Sequence, residues 1–256
     1  MTHVKVLISA LLLLCLAGRD AAAQDAPTGD GDRERGRVIG LLDLPDIVGQ
    51  ACSASPSITA DLQAAPSTTA SPIGSLALRV TDRAPSGTEC TATLVVRHRD
   101  GGVEPIPYRE SGYEIPAAVV RARSGPWYRI DTARGSAWIR RDDPRHFLSY
   151  PDLLRNDRLT FIQKGWNASL WRIPGRGAPV LVPAAWRDIA WVQDRNQAVT
   201  VDVLEVRRIG REPWVHVRLA LDSCGEDQPS MAPWTGWLPA YTKAGDTALW
   251  FYSRGC

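Results

Sequence analysis

Pro126-Trp127-Tyr128-Arg129-Ile130, followed by Ala137-Trp138-Ile139, returns later in the chain as Pro213-Trp214-Val215-His216-Val217, followed by Gly236-Trp237-Leu238. A third anchor precedes each pair, Leu62-x-x-x-Pro66 in the first copy and Leu170-x-x-x-Pro174 in the second. Ordered anchors that recur far apart indicate one architecture used twice. Within each tryptophan stretch the side chains alternate. Val215, Val217 and Leu219 fall on one side and Trp214, His216 and Arg218 on the other, as Tyr128 and Ile130 oppose Trp127 and Arg129. A period of two is the signature of a strand with one face in a core and one at a wetter surface.

Working outward, runs of four to seven β-branched and aromatic residues are punctuated by Pro and Gly, and no long helical period survives. The expected strands include Leu94–His98, Ala117–Arg123, Val199–Arg207 and Leu249–Ser253. The fold class is therefore all-β. Asp131 to Ser136 joins two strands through a tight Gly135 loop, whereas the second copy carries an insertion from Asp222 to Thr235. Between the copies, residues 142–165 form a connector in which Ser149 caps a short helix at Tyr150 to Leu154.

The N-terminus reads as a secretion signal over residues 1–23. Lys5 gives the positive start, Val6 to Ala17 the apolar stretch, and Ala21-Ala22-Ala23 a small-residue cleavage site. The apolar stretch falls short of the ~20 residues a spanning helix requires. Leu12-Leu13-Leu14 before Cys15 is not the small residue that a lipoprotein signal places there. Cleavage and release to the periplasm or the exterior is the expectation. Residues 24–52 then form a flexible polar leader that ends in an apolar helical turn over Val38 to Val48, with Pro45 in its first turn and Gly49 as its stop.

Cleavage would leave Cys52, Cys90, Cys224 and Cys256. An even count in an oxidising compartment favours disulfides, and four cysteines allow three connectivities. The simplest keeps each bond within one copy, Cys52–Cys90 and Cys224–Cys256; loops of that size contribute about 3–4 kcal/mol each in a chain-entropy treatment. No pair has the C-x-x-C spacing of a zinc site. Loss of Lys5, Arg19 and Asp20 with the signal takes the formal charge from +2 to +1, so the chain has no nucleic-acid footprint.

The two tryptophan strands, each followed by a second Trp, resemble bacterial SH3-like domains. The resemblance implies two tandem SH3-like barrels, the first over residues 53–141 and the second over residues 166–256. It also implies a binding module for peptides or cell-wall (peptidoglycan) material. Two departures stand out: an insertion from Val80 to Gly112 in the first copy, and Ala137-Trp138 where the family has Gly-Trp.

All ten tryptophans lie at or beyond Trp127, and Trp166, Trp171, Trp186 and Trp191 gather around the second opening. Indole faces suit sugar rings or peptide side chains. Trp127, Arg129, Trp214 and His216 are the candidate ligand-binding residues, while Trp138 and Trp237 are expected to fill the core. Chemistry is poorly provided for. The mature histidines are His98, His146 and His216, with no G-x-S-x-G elbow and no H-E-x-x-H helix. Asp142-Asp143-x-x-His146 reads as a capped turn rather than a metal site, and the Asn167-Ala168-Ser169 sequon as incidental. The expectation is a non-catalytic protein with no cofactor and no metal. A structural or inhibitory partner of another exported protein is the alternative, and a hydrolase using His146 or His216 is disfavoured for want of a nucleophile–base–orienter set.

Overall fold

A computed structural model describes residues 36–48, 59–83, 90–112, 115–155, 159–187, 199–220 and 232–251. In chain order the described elements begin with β1 (Gly40–Leu42), α1 (Pro45–Val48), β2 (Ala60–Gln63), β3 (Pro72–Arg83), β4 (Cys90–His98), β5 (Val103–Pro105), β6 (Tyr108–Gly112), β7 (Ile115–Ser124), β8 (Trp127–Thr132), β9 (Gly135–Arg140) and β10 (Phe147–Ser149). Helix α2 (Tyr150–Arg155) leads into β11 (Thr160–Ile162), β12 (Ser169–Leu170), β13 (Val180–Leu181), α3 (Ala184–Arg187), β14 (Val199–Ile209), β15 (Glu212–Leu219), β16 (Thr235–Pro239) and β17 (Leu249–Phe251). The protein is mostly antiparallel β-sheet, and its larger sheet curls into a half-barrel.

Five strands of each sheet follow the same order. One path in the first sheet runs β10-β1-β7-β8-β9, and the second sheet runs β17-β11-β14-β15-β16. Each path places a short strand beside a long one, then the two tryptophan strands. The long strand is bulged at the same place in both copies. Register shifts between Val120 and Ala122 opposite Ile130 and Arg129, and between Val203 and Glu205 opposite Val217 and His216. Arg129 then faces Trp138 as His216 faces Trp237. A bulge adds one residue and bends the strand, which lets a short sheet curl.

The opening anchors also coincide. Leu62 pairs with Ile139 and Gln63 with Trp138, while Trp171 bridges to Trp237 through two backbone bonds of 2.7 and 2.8 Å. This crossing explains the Gly-Trp and Ala-Trp difference. A Cβ at Gly236 would lie 2.6 Å from the Leu170 Cβ, so only glycine fits there. The first copy has space for the fully buried Ala137 methyl.

Three sequence expectations need revision. The stretch 38–48 is not a single helical turn, because Gly40–Leu42 is a strand hydrogen-bonded between β7 and β10; only Pro45–Val48 is helical. Parts of the expected connector belong to the sheets, Phe147–Ser149 to the first and Thr160–Ile162 to the second. The insertion from Val80 to Gly112 extends the first sheet through β4 and β5, while β6 pairs back onto β7.

Two apolar clusters meet at the β1–β7 ribbon. Leu42, Ala118 and Val120 point into one with Tyr128, Ile130 and Ile139, whereas Leu41, Ala117 and Val119 point into the other with Leu153, Leu154 and Val217. Burial on both faces explains why β1 reads as consecutive leucines rather than an alternation. The expected α2 is present, with the Ser149 hydroxyl accepting from the Asp152 backbone N–H at 3.3 Å. Its Tyr150 is fully buried, and its hydroxyl donates toward the carbonyls of Leu249 and Ala240 at 2.7 and 3.1 Å. Among the described residues no helix is long and apolar enough to cross a membrane. The signal segment, Cys52, Cys224, Cys256 and the side chain of Cys90 lie outside what is described.

Candidate functional site

Alternation along β15 buries Val215 and Val217 completely and leaves Trp214 and His216 half-buried on the outer face. Cross-strand register places Trp237 opposite His216 and Arg207 opposite Trp214. The His216 and Trp237 rings stack at 4.8 Å between centroids with a 10° interplanar angle. Arg207 covers the same indole, its Cζ 5.1 Å from the ring centroid. Trp214 meets Trp171 edge to face at 5.4 Å and 84°. Edge-to-face and stacked contacts of this kind hold rings in fixed orientation, and guanidinium over indole adds a cation–π attraction.

Polar partners fix the rim. Arg207 Nε and Nη2 donate to the two carboxylate oxygens of Glu205 at 2.9 and 3.0 Å, and Arg218 Nε donates to Asp202 at 2.8 Å. Apolar surface continues past Trp171 and Trp214, since Ile173 and Ile209 are both exposed. Burial is the main influence on the His216 imidazole and lowers its pKa below the ordinary 6.5. Glu205 pulls it upward and Arg207 pushes it further down. Burial thus favours the neutral ring, which stacks without bringing a charge onto the indole.

The four sequence candidates do not form one site. Trp214 and His216 share a face and meet Trp171 and Trp237, but Trp127 and Arg129 lie on the other sheet. Trp127 is only 8% exposed and presents no open ring face. On the same sheet, Arg121 pairs with Asp131 at 3.0 Å in a largely buried contact and donates to the Gly36 carbonyl at 3.0 Å. Gly36 itself sits close enough that a Cβ there would come 3.1 Å from an Arg129 guanidinium nitrogen. Gly36, within the expected leader, thus lies against the first outer face, and the second has no such contact among the described residues.

Sequence reasoning did not single out Arg207 or pair Trp171 with Trp214. Parity along β14 changes at the bulge, so Arg207 joins the Trp214 face only once the register is known. Trp237, expected as core filling, is 7% exposed, yet His216 and Arg207 cover it from the outer side. The Asp142–His146 run is a turn: Asp143 caps the 3-10 helix Pro144–His146 and binds the Arg145 side chain, which holds its carboxyl well below the usual range. Asp142 accepts from Arg140 at 2.9 Å. Buried His98 places Nε2 3.2 Å from Glu104, whose carboxylate also accepts the Ala133 backbone N–H at 2.9 Å. Among the described residues no group of three or more His, Cys, Asp or Glu is arranged to hold a metal ion. Compared with family models, curated proteins and solved structures, the chain matches none of them.

Proposed function

We propose that this protein is an exported, non-catalytic binding module whose two repeats are SH3-like barrels, and that the outer face of the second repeat takes peptides or peptidoglycan material. The order β17-β11-β14-β15-β16, matched by β10-β1-β7-β8-β9, supports the SH3-like reading. The observation that carries the binding reading is the Trp171–Trp214 pair beside the His216–Trp237–Arg207 stack. A preset aromatic surface gives a ligand contact area at small conformational cost, and a few such residues dominate binding energy in most interfaces. The proposed exported state places that surface in the compartment where cell-wall fragments occur.

Sedimentation of the mature protein with purified peptidoglycan tests this reading. Saturable binding is expected, weakened about tenfold by Trp214→Ala. Wild-type protein that stays in the supernatant at every ionic strength, or a Trp214→Ala chain that sediments like wild type, would remove the reading.

A further inference from the structure

A cavity of about 270 Å³ opens where α2 meets the β14–β15 hairpin, with Asp152, Arg155, Val206, Arg207 and Arg208 in its wall. Its charges can be followed one by one. Both Asp152 oxygens are engaged, Oδ1 by Arg155 Nη1 at 2.7 Å and Oδ2 by the Ser149 hydroxyl. Arg155 is fixed further by Nη2, which donates to the Val206 carbonyl at 3.2 Å. Arg207 is occupied by Glu205. Arg208 is exposed and has no carboxylate partner among the described residues. The cavity is thus left with one surplus guanidinium, while Pro151, Pro213 and Val206 supply apolar wall.

We propose that this cavity binds a small monocarboxylate with a short aliphatic body, such as the C-terminal residue of a peptide. A planar guanidinium matches a carboxylate through two parallel N–H···O bonds, which a neutral amide cannot reproduce. One unmatched positive charge suits a single carboxylate better than a dianion. The proline and valine walls take the aliphatic part, and the pre-anchored Arg155 and Arg207 keep the mouth shaped before the ligand arrives. The site shares Arg207 with the aromatic face but uses none of its rings, and a probe without a ring separates the two.

Amide NMR titration of the full mature chain with N-acetylalanine tests the proposal, with N-acetylalanine amide and inorganic phosphate as parallel arms. The acid is expected to shift the amides of Asp152, Val206 and Arg208 saturably. The amide should bind about tenfold more weakly, as should the acid to either Arg208→Glu or Arg208→Gln, each checked for folding by circular dichroism. Higher salt should weaken the acid, because the site is open to solvent. Equal binding of acid and amide, phosphate binding more tightly than the acid, unchanged affinity in both Arg208 variants, or no saturation would each overturn it.

Discussion

Truncating a buried ring leaves a cavity, whereas truncating a half-exposed one mainly removes contact area. Trp127 and Trp214 occupy matching positions in the two repeats but differ in this respect, the first being 8% exposed and the second half-buried against Trp171. Trp127→Ala should therefore cost about 3–5 kcal/mol in denaturant unfolding. Trp214→Ala should cost about 1 kcal/mol, the scale of a lost aromatic pair. Equal losses would mean that the two faces are not different. His216 offers a pH test at the same scale. Its folded pKa lies below the ordinary 6.5, so the unfolded chain binds its proton more readily. The stabilisation tied to the neutral ring is present above pH 6.5 and is lost as pH falls through the lowered folded value. NMR titration should place the His216 midpoint below 6.5, and a midpoint above it would contradict the covering by Trp237 and Arg207.

At the scale of elements, the crossing of the opening segment over β16 governs residue choice. Gly236→Ala would push a methyl into the Leu170 side chain and the Trp171 carbonyl, contacts of 2.6 and 3.2 Å from the added Cβ. Overpacking of this kind costs about 1–3 kcal/mol, and thermal unfolding of the variant should show it; an unchanged midpoint would mean that the segment does not cross there. The same crossing shows what could be read from the chain beforehand. The tryptophan strands and their facing were legible because Trp214-Val215-His216-Val217 and Trp127-Tyr128-Arg129-Ile130 alternate with period two. Gly40–Leu42 was not legible, since both leucines are fully buried on opposite faces and three residues show no period. From Val80 to Gly112 the sequence offers only an insertion, although β4 continues the first sheet beside β3, because pairing partners are not encoded locally. Of the aromatic face, Trp214 and His216 were foreseen. Arg207 was hidden by the bulge at Leu204, which reverses the parity of everything after it.

For the whole molecule, the two repeats are coupled through residues 37–41. The Val38 carbonyl accepts from the Tyr241 hydroxyl at 2.6 Å, the Ile39 backbone bonds Val120 and Tyr150, and Arg37 pairs with Glu212 at 2.8 Å. Leu41 continues the join into the second cluster beside Val119 and Tyr150. Two sheets that share a five-strand order are thus held by one ribbon. Their tryptophan strands differ in exposure, with Trp127 buried on the first and Trp214 half-buried among other rings on the second. The most direct measurement is a titration of the protein's indole N–H resonances with a soluble peptidoglycan fragment. Movement of Trp171 and Trp214, with Trp127 and Trp186 unchanged, is the result expected of a binding face confined to the second repeat. Shifts at Trp127 without shifts at Trp214, or no indole shift at saturating fragment, would contradict it.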